Sequence, residues 1–170
     1  IVHPDSSPKE RETQICMNDY KYVDLILGKQ CQTKMGRGGI RPLEFKTFSK
    51  EMQNAITNYC QAGGNFFVSG AYVASDLWDN RLVKANEEDK KFAMEVLKYK
   101  WRVGQAARNG KVKSVASPFP EITGSYTYYQ DLNPESYVVE SPDALEPAAQ
   151  GAFTILRYSE NNLSAGIAYK

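Results

Sequence analysis

The chain has 170 residues, 42% hydrophobic and 24% charged, with 21 basic and 20 acidic side chains. That length holds a full-sized core in one domain, and that composition excludes a disordered chain. The balanced charge supplies no basic surface for nucleic acid, and no apolar run reaches the roughly 18 residues of a membrane span.

Residues 1–15 (IVHPDSSPKERETQI) are polar and aperiodic, and read as an arm or linker ahead of one domain over 16–170. YVDLILG, 22–28, is aliphatic and β-branched and closes on Gly28. It reads as a strand buried on both faces, as in a parallel sheet. A loop with three glycines, KQCQTKMGRGGIRP, follows. TFSKEMQNAITNYCQAGG then places Phe48, Met52, Ala55, Ile56, Tyr59 and Cys60 at helical spacing. Thr47 or Ser49 caps its start, and Gly63 supplies the left-handed residue that ends it. NFFVSG is the next strand, so strand, helix and strand form a βαβ unit.

After Gly70, AYVASDLW sets Val73 with Leu77 and Ala74 with Trp78, which predicts a short helix. A second long helix is expected over 86–100, capped by Asn86, with Glu87, Glu88 and Asp89 at its positive end and Lys98 and Lys100 at its negative end. Its inner stripe is Phe92, Val96 and Tyr99. From Trp101 the texture turns to strands. WRVGQAA and KVKSVAS flank Arg108-Asn109-Gly110, a hairpin signal. SYTYYQ and YVVE follow, then the proline-rich SPDALEP, and AFTILRY pairs with LSAGIAY across SENN. The chain starts at Ile1 with no signal peptide and stops on a strand, so it reads as a piece of a longer protein, truncated at its C-terminus.

Ser69, where a strand turns toward a helix, is the candidate catalytic residue. A nucleophile elbow needs small residues two before and two after, and here those positions hold Phe67 and Ala71. The single histidine, His3, lies in the arm, so no base is at hand for a Ser-His-Asp triad. The competing reading has Ser69 and Gly70 making a tight turn, with the hydroxyl on a backbone amide and neighbouring amides open to an anion. Arg37 and Arg41 in the glycine-rich loop, with Ser69, Gly70, Tyr72 and Trp78, are the candidate ligand-binding residues. All are expected at the carboxyl edge of the sheet, where an anionic sugar would meet the arginines. Trp78 and Trp101 read as core before sugar platforms, and the tyrosines of SYTYYQ as packing before a catalytic base. One histidine and scattered cysteines make no metal set, and no cofactor is expected. A Cys16–Cys31 disulfide stays open, and Cys60 reads as a buried thiol.

The run AITNYCQAGGNFFVSGAYVASDLWD resembles the helix–strand–turn segment of flavodoxin-like domains related to class I glutamine amidotransferases, with Ser69 at the position of their catalytic cysteine. With no histidine after His3, the resemblance implies their fold without their reaction. YVDLILGKQ, GGNFFVSGAYVASDLWD, SPDALEP and ILRYSENNLSAGIAYK together are similar to a domain of large secreted gut-bacterial proteins described as xanthan lyases. The expected architecture is therefore α/β: a flavodoxin-like three-layer αβα fold, its sheet mostly parallel, with an antiparallel hairpin extension in the C-terminal half. The expected role is a non-catalytic accessory module of a secreted, periplasmic or cell-surface carbohydrate-active protein. It would pack against neighbouring domains or touch an acidic polysaccharide. The alternative is a polysaccharide lyase or hydrolase with its cleft around Ser69.

Overall fold

The computed structural model describes residues 16–35, 43–78, 85–128 and 137–170. In chain order the first half supplies β1 (Tyr22–Gly28), β2 (Thr33–Met35), β3 (Leu43–Phe45), α1 (Lys50–Gln61), β4 (Asn65–Gly70) and α2 (Glu87–Glu95). The second half supplies β5 (Tyr99–Val103), β6 (Lys111–Ser114), β7 (Ser125–Thr127), β8 (Ala144–Pro147), β9 (Ala152–Tyr158) and β10 (Ser164–Tyr169).

The βαβ unit forms. β1 and β4 run parallel with Leu25 opposite Val68, and α1 lies between them in sequence. The Ser49 hydroxyl accepts from the Met52 amide at the start of α1, and Gly63 takes φ +86° just past its end. Two glycines follow that helix for different reasons. Gly63 carries the left-handed conformation, whereas a Cβ on Gly64 would run into the Tyr59 ring. That ring is held by its hydroxyl, which donates to Tyr20 O at 3.1 Å and Asn65 O at 3.2 Å.

The flavodoxin-like αβα expectation is overturned. Among the described residues the parallel sheet stops at two strands, and β2 pairs only with β3, antiparallel. The main sheet is six-stranded and antiparallel, in the order β5-β8-β10-β9-β6-β7, and only two α-helices occur among the described residues. The physical reason is connectivity. A parallel neighbour needs a crossover of a dozen or more residues, normally helical, and no helix is described between β5 and β10.

Several local expectations change with it. AYVASDLW is a run of turns ending in a 3-10 turn at Ser75–Leu77, not a helix, although Val73, Ala74 and Leu77 are buried as their spacing implies. The second helix ends at Glu95, because Lys98 adopts φ +64° and swings the chain into β5. Lys98 then lies over the Tyr169 ring, and Tyr99 is buried from a strand. The capping box at its other end, between Asn86 and Asp89, is present. β5 and β6 do not form a hairpin: β5 pairs with β8, and β6 with β7 and β9. Tyr137–Glu140 is not a strand. The β9–β10 hairpin forms, with Thr154 opposite Ile167. β1 is covered on one face only, with Tyr22 and Ile26 exposed.

One core joins the two halves. Phe48 and Ile56 beside the parallel pair pack with Val73, Ala74 and Leu77 of the turn, Phe92 of α2, Tyr99 of β5 and Leu145 of β8. No helix among the described residues is long and apolar enough to cross a membrane.

Candidate functional site

The site to judge is the turn after β4. Ser69 still belongs to the strand, in register with Ile26. Strand alternation puts it on the face opposite Val68, away from the core. Its hydroxyl makes no hydrogen bond to a described residue, so it neither meets a base nor satisfies a turn amide. Gly70 is where the chain comes close to its neighbour. A Cβ there would lie 3.0 Å from Leu27 Cβ and 3.2 Å from Gly28 O. The Ala71 amide continues the contact, donating to Gly28 O at 2.8 Å.

The turn amides are occupied by a residue 68 and 69 positions further along the chain. Asp143 Oδ2 accepts from the amides of Ala74 at 3.0 Å and Ser75 at 2.7 Å. Its Oδ1 accepts from the Trp101 indole at 3.0 Å. The Asp143 amide donates to Ala71 O at 2.8 Å, and its carbonyl accepts from the Tyr158 hydroxyl at 2.7 Å. The Tyr99 hydroxyl closes the ring of bonds by donating to Val73 O at 2.6 Å. Asp143, on the approach to β8, and Tyr99 of β5 thus clasp the turn that follows β4, and Tyr158 of β9 holds Asp143.

Burial pushes the Asp143 carboxyl up to about 6, against the opposing pull of the Ser75 and Ala74 amides and the Trp101 indole. Burial likewise raises the hydroxyls of Tyr99 and Tyr158, which stay protonated donors. The clasp is therefore fully bonded: each polar group of Asp143 has a partner.

The other sequence-predicted site residues separate. Tyr72 is half-buried near the Lys29–Glu140 ion pair, whose N–O distance is 2.7 Å. Its hydroxyl is raised by burial first and by Glu140 second, which disfavours tyrosinate. Trp78 packs partly buried against the core, as does Trp101. Arg37 and Arg41 lie outside the described residues, as do His3 and Tyr129. Asp76 is buried and accepts from the Thr47 hydroxyl, and burial raises its carboxyl. Tyr126 donates to Thr123 O and Tyr128 packs edge-on against Tyr158, so neither is paired with an orienting base. Cys16, Cys31 and Cys60 form no disulfide, and Cys60 is half-buried. Among the described residues no group of His, Cys, Asp or Glu is placed to hold a metal ion.

Asp143 is the residue of this site that the sequence does not single out, and it accepts from Trp101, which the sequence places in the core. The usable signal is the aspartate of SPDALEP, set between Pro142 and the apolar Ala144-Leu145: an acid buried at a strand start needs donors. Searches of family models, curated proteins and solved structures find no match to this chain.

Proposed function

We propose that this chain is a non-catalytic accessory module of a larger secreted, carbohydrate-active protein, working by packing against neighbouring domains or by glycan contact. The observation that carries the non-catalytic part is the Asp143 clasp. In α/β enzymes the amides after such a strand receive a substrate anion or an oxyanion. Here the amides of Ala74 and Ser75 already hold the protein's own carboxylate. Ser69, one turn earlier, has no base among its described neighbours to take its proton. The carbohydrate context and the secreted, periplasmic or cell-surface setting rest on the sequence resemblance to the xanthan-lyase-type domain.

The test is direct. The purified chain is treated with a fluorophosphonate serine probe, and separately incubated with xanthan and other acidic polysaccharides while absorbance at ~235 nm follows unsaturated product. We expect no covalent labelling and no product. Labelling that disappears in Ser69→Ala, or unsaturated product from any of the polysaccharides, overturns the proposal.

A further inference from the structure

The β1–β4 pair has two unlike faces. Inward, Leu25, Leu27, Phe66 and Val68 pack against the core. Outward, alternation places Tyr22, Asp24 and Ile26 on β1 beside Asn65, Phe67 and Ser69 on β4. Tyr22, Ile26 and Phe67 are 69%, 72% and 60% exposed. Parallel strands are ordinarily covered on both faces, and a two-stranded ribbon is marginal by itself. A cluster of large apolar side chains left on such a surface marks an interaction site.

The charge on this face selects the occupant. Asp24 is in register with Phe67 and lies two residues from both Tyr22 and Ile26. It forms no ion pair with a described residue. Lys21 sits at the margin, 5.5 Å above the Tyr22 ring. A partner therefore meets a carboxylate ringed by apolar side chains, and its complement is a cation set among apolar residues. A second copy fails this requirement when the two-fold axis passes through Asp24, at the centre of the patch, because that axis brings one Asp24 onto the other. An acidic polysaccharide fails it for the same reason of sign. The chain's own residues 1–15 fail it too, since their aliphatic side chains, Ile1, Val2 and Ile15, stand only at the two ends.

We propose that the outward face of β1–β4 docks an amphipathic helix of a neighbouring domain, carrying a Lys or Arg opposite Asp24. The run from Tyr22 to Ile26 covers about 13 Å of strand. About nine helical residues match that length, with apolar side chains at i, i+4 and i+7. This rests on the packing role proposed above and names the surface that performs it.

The experiment selects a displayed library of ~15-residue helical peptides against the whole chain, then measures the selected peptides by fluorescence anisotropy. Wild type is expected to enrich apolar residues at helical spacing around a Lys or Arg. Phe67→Glu is expected to weaken those peptides at least about tenfold. Asp24→Lys, a change at an exposed position, is expected to weaken them comparably and to select Asp or Glu in place of the cation. Near-UV circular dichroism checks that each variant is folded, and Asp24→Lys carries the test if Phe67→Glu is not. Selection of no helical pattern, affinity indifferent to Asp24→Lys, or sedimentation showing a dimer that Phe67→Glu abolishes overturns the docking proposal. Binding of an acidic oligosaccharide that Phe67→Ala abolishes overturns it as well. Serine-probe labelling at Ser69 would instead overturn the non-catalytic reading and leave the peptide result as measured.

Discussion

Asp143→Ala is the substitution that probes the joint between the two halves. It removes the acceptor of three donors: the amides of Ala74 and Ser75 and the indole of Trp101. A buried donor left unmade costs about 1–3 kcal/mol. Ser75 and Trp101 are only half-buried, so water reaches part of the vacated site. Removing the carboxylate also relieves the penalty of burying its charge at neutral pH. The expected net loss at pH ~7.5 is about 2–4 kcal/mol, a large share of the 5–15 kcal/mol typical of a domain. The carboxyl is raised from 3.8 to about 6 in the folded chain. Its contribution is therefore fully present below pH 3.8 and is lost as pH rises through about 6. The span of about 2.2 pH units corresponds to about 3 kcal/mol, of which about 2 fall between pH ~4.5 and ~7.5. The gap between wild type and Asp143→Ala should thus widen by about 2 kcal/mol on going from pH ~7.5 to ~4.5. Asp76, also raised by burial, is common to both proteins and cancels in the difference. Urea unfolding followed by tryptophan fluorescence measures both quantities. A loss under about 1 kcal/mol at neutral pH would show that the clasp does not hold the halves together. A gap that is flat, or that grows with pH, would show that the three donors outweigh burial at this carboxyl.

Two further substitutions test the local packing that positions the turn. Gly64→Ala sets a methyl against the Tyr59 ring, which its two hydrogen bonds hold in place; the expected loss is about 1–3 kcal/mol by urea unfolding, and a neutral result would mean that the ring swings aside. Tyr99→Phe leaves Val73 O without its donor inside the core; about 1–2 kcal/mol is the expected cost, and hydrogen exchange at the amides of Ala74 and Ser75 should accelerate with it.

What the sequence made legible was local. Ser49, Gly63 and Asn86 mark helix ends because the groups they satisfy lie within four residues of them. The parallel register of β1 and β4 follows from a helix of the right length standing between two apolar runs. The hairpin of β9 and β10 needs only a short connection. Strand partnership in the second half was not legible. Asn109-Gly110 does turn the chain, with Gly110 at φ +67°, yet the amides of Arg108 and Asn109 bond to Glu160, and β5 goes to β8. Periodicity also misled over 71–78. The burial of Val73, Ala74 and Leu77 comes from turns folded around a carboxylate, which share the spacing of a helix without its hydrogen bonds.

On the proposed non-catalytic reading, the same carboxylate takes the place that an enzyme's turn would leave to a substrate anion. A strand that ends in a sharp turn exposes amides whatever its ancestry, and exposed amides attract an anion. Whether that anion is a substrate or a side chain depends on what the rest of the chain brings to the spot. Here the six-stranded sheet brings Asp143, with Trp101 and Tyr158 to orient it from either side. A substrate anion would have to displace an acceptor tethered through its own backbone amide to Ala71 O. That acceptor is intramolecular and pre-oriented, so its effective concentration exceeds that of a free ligand. The antiparallel sheet that stands where a parallel αβα layout was expected is thus also what carries Asp143 to the turn, where the amides of Ala74 and Ser75 join the two halves.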